Sequence, residues 1–166
     1  MAETHTWYVD SSVLLRAMVD QSSAARTWFE ERIDAGDRFV ASRLMELEVR
    51  RVTRNAGIDQ ALVDEYIDEF LLMIINDDLL DEAQALPQKL GGADAIHVAS
   101  ALRLGPGVMT LVTHDAQMAV AAVQLGFEVL DPVTDDPGHG PVDGQTSEST
   151  DPKHRNRRPR RARPRT

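Results

Sequence analysis

Four acidic residues, Asp10, Glu48, Asp94 and Asp115, stand where the sequence pattern predicts the edge of a buried core. Asp10 and Asp115 follow short apolar runs typical of strands, while Glu48 and Asp94 fall in segments with helical spacing. Carboxylates gathered in a low-dielectric cleft repel one another, so they are either protonated or hold a cation. Oxygen ligands alone favour a hard ion, which predicts Mg²⁺, with Mn²⁺ as the alternative. Such a site suits phosphodiester hydrolysis, in which the ion offsets charge on the phosphate and a carboxylate helps to deprotonate water.

The strongest local signal is the run Trp7-Tyr8-Val9, which leads directly into Asp10. A short apolar run of this kind predicts a buried central strand of a parallel sheet. The carboxyl end of that strand would deliver Asp10 to the crevice where open α/β sheets bind ligands. Capping of the following helix explains Asp10 equally well, and Asp115 could likewise cap the last helix.

Helical spacing separates two neighbouring glutamates in the segment 44–55. The apolar residues of this helix average to one side; they are Leu44, Met45, Leu47, Val49 and Val52. Glu48 lies close to that direction, whereas Glu46 points away from it and can pair with Arg50 one turn later as a solvated pair. We therefore expect Glu48 to be aimed inward.

Asp94 is a second acidic residue on the apolar side of a predicted helix. It shares a face with Val98 and Ala101 in a segment that is apolar nearly all round and is therefore expected to be buried. An acid that complements the helix dipole is the alternative. His97 follows one turn after Asp94, and we interpret it as a packed core histidine rather than a ligand.

The elements that must position these acids alternate between strand and helix. Strands are predicted at residues 7–9, 39–41, 73–75, 108–113 and 127–130. Helices are predicted from 10 to about 19, from about 25 to 36, at 44–55 with Ser42 as its cap, at 59–70, in a short segment ending at 86, at 93–102 and at 118–125. This alternation favours an α/β fold with a parallel central sheet covered by helices on both faces.

The net charge of −9 conceals two regions of opposite sign. Residues 1–150 hold 10 basic and 26 acidic residues, a net charge of −16, and eight basic residues follow from Lys153 onward. The acidic body is not typical of a general nucleic-acid binder but suits one that needs divalent cations. The absence of cysteine excludes disulfides and thiolate metal sites. The N-terminus lacks the pattern of a signal peptide, and no apolar run is long enough to span a membrane, so we expect a cytoplasmic protein.

The composition changes at about Thr134, where glycine, proline and serine become frequent. We therefore predict a folded domain at residues 1–133 and a disordered linker with an arginine-rich tail at residues 134–166. The tail could tether RNA through phosphate contacts, or act only as a passive solubilising end.

Four segments in order resemble the acidic motifs of PIN-domain nucleases, and most closely those of the VapC toxins of bacterial toxin–antitoxin pairs. They are Tyr8-Val9-Asp10-Ser11-Ser12, Leu47-Glu48-Val49-Arg50-Arg51, Ala93-Asp94-Ala95-Ile96-His97-Val98-Ala99 and Thr113-His114-Asp115. The resemblance covers roughly residues 6–132, and no single motif is specific, although four with this order and spacing are a strong signal.

The resemblance implies a three-layer α/β/α PIN-like domain that cleaves RNA in a Mg²⁺-dependent reaction. Asp10, Glu48, Asp94 and Asp115 would be both the catalytic and the metal-binding residues, with Ser12 supporting Asp10. It also implies inhibition by a VapB-like antitoxin and a homodimer. The arginine-rich tail is not part of the family's pattern.

Two other functions are alternatives to this one. In a phosphoaspartyl hydrolase or receiver, Asp10 would accept the phosphoryl group, but Ser12 stands where such hydrolases carry a second aspartate, and Glu48 and Asp94 would lack a purpose. A catalytically silent PIN-like module that binds RNA or protein is the other alternative, against which the complete quartet of acids argues.

Overall fold

Five parallel strands form the centre of the protein. The structure, a computed structural model, describes residues 4–136, so the predictions for the arginine-rich tail concern residues outside this range. The strands are β1 (Thr6–Val9), β2 (Arg38–Ser42), β3 (Phe70–Met73), β4 (Thr110–Val112) and β5 (Glu128–Leu130). The helices are α1 (Ser11–Met18), α2 (Ser23–Asp34), α3 (Arg43–Asn55), α4 (Gln60–Ile67), α5 (Asp77–Gln84), α6 (Gly92–Leu104) and α7 (Ala116–Gln124).

The sheet order β3-β2-β1-β4-β5 places β1 at the centre. The chain first builds outward from β1 through β2 to β3, and then starts again on the other side of β1 with β4. In open α/β sheets such a reversal opens a crevice at the carboxyl ends of the two strands, here β1 and β4. Asp10 follows β1 at this crevice, and its backbone N–H donates to the carbonyl oxygen of Val112 in β4 at 3.1 Å.

Side chains alternate along the strands between two separate cores. Val9, Phe39 and Val112 pack with buried residues of α1, α2, α3 and α4 on one face. Tyr8, Val40 and Leu111 pack with buried residues of α6 and α7 on the other face. The predicted three-layer α/β/α architecture with a parallel central sheet is therefore confirmed. None of the helices within residues 4–136 is long and apolar enough to cross a membrane.

The third strand differs from its predicted position at residues 73–75. It spans Phe70–Met73, and α4 ends at Ile67, so Phe70 belongs to the strand and not to the helix. Phe70 satisfies the helical spacing of the residues before it, yet it pairs with Phe39 of β2 and packs against its ring at a centroid distance of 5.4 Å. Ile74 belongs to the predicted strand, but it lies beyond the observed one and is 76% exposed.

The apolar side of α3 is narrower than predicted. Met45 and Val49 are fully buried, but Leu47 is 56% exposed and Val52 is 40% exposed. The average over all the apolar residues therefore gave the wrong direction for the buried side of α3. Glu48 lies at the edge of that buried side, next to Val49. The remaining helices occupy the predicted segments with ends that differ by a few residues.

Candidate active site

Asp10 is a buried carboxylate with both oxygens engaged. It is only 2% exposed, and its Oδ1 accepts hydrogen bonds from the backbone N–H of Ser12 at 3.0 Å and from the Ser12 hydroxyl at 2.6 Å. Its Oδ2 accepts from the Thr113 hydroxyl at 2.7 Å. Burial raises the pKa of Asp10 above its ordinary value, although the nearby His97 and these hydrogen bonds oppose the change. Asp10 therefore caps α1, as one interpretation predicted, and at the same time lies at the crevice.

Thr113 connects Asp10 to the fourth predicted acid. The Thr113 hydroxyl accepts a hydrogen bond from the backbone N–H of Asp115 at 3.0 Å while it donates to Asp10. Asp115 also caps α7, since its Oδ1 accepts from the backbone N–H of Met118 at 2.8 Å. The backbone N–H of His114 donates to the Ser12 hydroxyl at 2.9 Å, which ties the loop after β4 to the start of α1. The predicted support of Asp10 by the Ser12 hydroxyl is present.

Glu48 reaches the same region from α3, as its inward orientation predicted. Its Oε2 accepts a hydrogen bond from the Ser11 hydroxyl at 2.7 Å and lies 3.0 Å from Nε2 of His97. Burial alone would raise the pKa of Glu48, but the contacts with His97 and Ser11 outweigh it and lower the pKa below the ordinary value. Glu48 is therefore ionised at neutral pH, and one of its oxygens is fixed in place by neighbours from α1 and α6.

His97 is buried, as predicted, but it is more than a packing residue. It is 1% exposed, and its Nδ1 lies 3.3 Å from the hydroxyl of Ser42 at the end of β2. With Glu48 ionised, Nε2 donates to the carboxylate, and in the neutral ring Nδ1 accepts from Ser42. Ser42 stands at the N-cap position of α3 but makes no side-chain capping bond, so the predicted capping role of its hydroxyl is wrong.

Asp94 lies in the first turn of α6, partly buried. Burial raises its pKa above the ordinary value, and the negative charges of Asp115 and Glu48 raise it further. A hydrogen bond from the backbone of Gly91 and the nearby His97 act in the opposite direction. The charge of Asp94 is therefore disfavoured by its acidic neighbours, as expected for carboxylates that share one cleft.

The structure thus brings the four predicted acids to the carboxyl edge of the sheet. Their donors are oxygens only, which fits a hard divalent cation. Within residues 4–136, no three acidic or histidine side chains are grouped closely enough to form a ready-made chelate. Magnesium keeps several waters in sites that process phosphates and needs only one or two direct carboxylates, so the residues present fit such an ion.

Ser11, Ser42 and the contact of His97 with Glu48 were not predicted as parts of the site. The spacing of His97, one turn after Asp94 on a buried helix, was the signal that could have linked it to the acids.

The second glutamate of α3 forms the predicted pair, with Arg50 Nε donating to Glu46 Oε1 at 3.0 Å. Arg43 also contacts Glu46 at 3.1 Å, so the Glu46 side chain is only 17% exposed, and the expectation of a solvated residue is wrong. Glu46 and Glu48 therefore differ in their partners, which are arginines for Glu46 and Ser11 with His97 for Glu48.

The chain that follows β5 is attached to the body beside the crevice. His114 lies in the loop after β4 and contacts carboxylates of Asp131 and Asp136 through its two ring nitrogens at 2.8 and 2.9 Å. Burial lowers its pKa, but the two carboxylates outweigh this effect and raise it. Asp135 accepts hydrogen bonds from the hydroxyls of Ser22 and Ser23 at the start of α2.

Trp7 and Trp28 pack edge to face, with ring centroids 5.4 Å apart, at the margin of the first core. Trp7 Nε1 donates to Asp37 at 2.9 Å. Both rings therefore pack against the first core as partly buried side chains.

The family model described as the PIN domain matches residues 7–124. Ribonuclease VapC46 of Mycobacterium tuberculosis is 33% identical over 129 residues, which cover 75% of this chain and 96% of that protein. Ribonuclease VapC47 of the same species is 25% identical over 130 residues, with the same coverage of 75% and 96%.

Several solved structures share the fold of this chain. VapBC2 from Rickettsia felis, bound to a DNA fragment from its promoter, aligns with a TM-score of 0.58 at 10% identity and covers 76% of this chain and 98% of that chain. VapBC-1 from nontypeable Haemophilus influenzae aligns with a TM-score of 0.55 at 14% identity, with coverage of 76% and 97%. FitAB bound to the IR36 DNA fragment aligns with a TM-score of 0.53 at 15% identity, with coverage of 80% and 99%. At these identities the likeness concerns the fold.

Proposed function

The chain belongs to the PIN-domain family, in its VapC group, and from this premise we propose that it is a metal-dependent endoribonuclease that acts as the toxin of a type II toxin–antitoxin pair. The observation that carries the proposal is the convergence of carboxylates at the carboxyl edge of the sheet, where Thr113 contacts both Asp10 and Asp115, and Ser11, next to Asp10, contacts Glu48. Carboxylates that repel one another at a ligand-binding crevice are stabilised by a bound cation, which would also offset the repulsion between these carboxylates and a phosphate. The two relatives from Mycobacterium tuberculosis are both named ribonucleases, which supports the same activity.

The proposed ion is Mg²⁺, with Mn²⁺ as the alternative. Asp10 and Asp94 would hold it, and Glu48 and Asp115 would complete the site. When bound, the ion supplies positive charge against the phosphate oxygens of the scissile bond. Asp10 is suited to this role because Ser12 and Thr113 hold both of its oxygens in fixed directions.

Glu48 is the residue that we propose as the general base. Its lowered pKa keeps it ionised at neutral pH, and the hydrogen bonds to Oε2 leave the carboxylate in one orientation. An ionised, fixed carboxylate can take a proton from the attacking water, which typically accelerates such a reaction by about 10²–10⁴-fold. Ser11 and His97 act by orienting Glu48.

The sequence and the contacts of Glu48 argue against the phosphoaspartyl alternative. Ser12 stands where such hydrolases carry a second aspartate, and a phosphoaspartyl site leaves the contacts of Glu48 with Ser11 and His97 unexplained. A silent binding module is disfavoured because it has no need for four carboxylates at one edge of the sheet, one of them buried.

We further propose a VapB-like antitoxin as the protein partner, since solved structures with this fold are VapBC assemblies. A homodimer and a cytoplasmic location are proposed from the resemblance to the family.

The function is tested with the purified full chain and total bacterial RNA. We expect new, discrete 5′ ends in the presence of Mg²⁺, and none when a chelator is added. The matched control is Asp94→Asn, which should produce no such ends although it keeps the size of the side chain. Identical ends from Asp94→Asn, or no cleavage by the wild-type protein with either Mg²⁺ or Mn²⁺, would overturn the proposal.

A further inference from the structure

One side of α3 carries an exposed basic surface that the proposed reaction does not use. It consists of Arg43, Leu47, Arg51 and Arg54, which follow one another at helical spacing of three or four residues. We call it the α3 arginine face. All four side chains are exposed, and together with Glu46 and Arg50 they line a shallow groove of about 220 Å³.

This surface contrasts with the rest of the folded body. Residues 1–150 contain 10 basic residues, and four of them lie on α3. They are Arg43, Arg50, Arg51 and Arg54, which outnumber the two acids of the helix, Glu46 and Glu48, in a body whose net charge is −16. A cationic strip on an otherwise anionic protein attracts a polyanion to that place and disfavours its contact elsewhere.

The arginines of α3 are not equally engaged. Arg50 contacts Glu46 at 3.0 Å and Asp64 at 2.6 Å, and Arg43 contacts Glu46 at 3.1 Å. Among residues 4–136, Arg51 and Arg54 have no salt bridge. Their guanidinium groups therefore present a full charge and five donors each to a ligand.

The α3 arginine face is adjacent to the proposed site. Arg51 follows Glu48 by three residues, so their Cβ atoms lie about 5–6 Å apart on the helix surface. Leu47, which is 56% exposed, lies one turn before Arg51 and offers an apolar contact between the charges. A chain of phosphates that runs along Arg54 and Arg51 would therefore reach Glu48 at its end.

We infer that the α3 arginine face binds the phosphate backbone of RNA and leads the strand to Glu48. Arg51 and Arg54 contact phosphate oxygens, and Leu47 packs against a ribose or a base. The inference rests on the proposed function and deepens it by naming the surface that holds the substrate. RNA is the occupant that the face fits, because a repeating negative charge matches arginines placed at successive turns.

The test compares RNA binding by three forms of the full chain. The probe is a fluorescein-labelled, single-stranded oligoribonucleotide of mixed sequence, and anisotropy is measured in EDTA between about 50 and 200 mM salt. The double variant Arg51→Gln/Arg54→Gln removes two exposed charges. The matched control is Arg38→Gln/Arg26→Gln, which removes two exposed charges outside α3, one of them at the amino end of β2, at the opposite edge of the sheet.

We expect the α3 double variant to bind roughly tenfold more weakly at low salt, with a log–log salt slope reduced by about 1.4, or about 0.7 for each lost phosphate contact. The control variant should bind and cleave as the wild type does, and Arg51→Lys/Arg54→Lys should recover most of the affinity. Equal affinity and slope in the α3 variant and the wild type would overturn the inference, as would equal losses in the control. Continued cleavage in those cases would leave the proposed function intact. A wild-type protein that neither binds nor cleaves RNA would overturn both.

Discussion

Replacing Asp10 by asparagine or by alanine distinguishes two contributions of this buried carboxylate to stability, that of its charge and that of its hydrogen bonds. Asparagine removes the charge but keeps a carbonyl oxygen that can accept from both donors of Ser12. Its amide group would face the Thr113 hydroxyl, which already accepts a bond from the backbone N–H of Asp115. Alanine removes every acceptor and leaves the donors of Ser12 and Thr113 facing an empty space.

The free-energy changes follow from these contacts. In Asp10→Asn, one charge-assisted hydrogen bond to Thr113 is lost, at a cost of about 1.5–3 kcal/mol. The variant also no longer buries a charge that the folded state disfavours, as the raised pKa of Asp10 indicates, so the two effects largely cancel. In Asp10→Ala, three donors lose their acceptor at about 1–3 kcal/mol each, and partial hydration and the same removal of the buried charge offset part of this cost, which leaves a net loss of about 3–4 kcal/mol.

The assay is thermal unfolding without metal at neutral pH, combined with RNA cleavage. In a domain of this size, a change of 1 kcal/mol in the free energy of unfolding shifts the Tm by roughly 3–5 °C. We therefore expect the Tm of Asp10→Asn to stay within a few degrees of the wild type, or to exceed it, while Asp10→Ala unfolds roughly 10–20 °C lower. Both variants should be inactive. Equal Tm values for the two variants would refute the assignment of stability to these hydrogen bonds, and full cleavage by Asp10→Asn would remove Asp10 from the site.

Three further predictions follow from the contacts of single residues. Glu48→Gln should reduce cleavage by at least about 10²-fold, and Glu46→Gln far less, because only Glu48 faces the site; equal losses on the same RNA would contradict this. His97→Gln keeps an amide donor for Glu48 and should retain more activity than His97→Leu, compared at a temperature where both are folded; full activity in His97→Leu would show that this donor is dispensable. Hydrogen bonds from Ser22, Ser23 and Ala24 lower the pKa of Asp135 from 3.8 to about 2, so its contribution to stability is present above the unfolded value and is lost as pH falls towards 2. Asp135→Asn should lack this contribution. Acid-unfolding curves identical to those of the wild type would contradict a stabilising contact between Asp135 and the start of α2.

The architecture could be predicted because the strands that carry it are local and strongly apolar. Trp7-Tyr8-Val9 gives a clear signal, and a helix follows it at once, so a parallel sheet was the expected outcome. The edge strand β3 was misplaced because Phe70 fits both a helical stripe and a strand. Its pairing with Phe39 depends on a residue that is remote in the chain, which local spacing does not contain.

The acids of the site could be predicted from their motifs, but the contacts that hold them could not. Ser11 meets Glu48 across 37 residues of chain, and His97 meets it across 49. Each contact depends on how α1, α3 and α6 are rotated about their axes when they pack. Leu47 illustrates the same limit, since an apolar residue at helical spacing turned out to be 56% exposed.

The central claim, that the acidic quartet holds a divalent cation, is tested most directly by Mn²⁺ binding. Electron paramagnetic resonance reports the free ion during titration of the metal-free full chain at neutral pH. The account predicts that the wild type removes Mn²⁺ from solution with a defined stoichiometry and that Mg²⁺ competes for the same site. Asp94→Asn should bind it far more weakly, while Glu46→Gln should bind it as the wild type does. Equal binding by Asp94→Asn and the wild type, or no binding by either, would contradict the account.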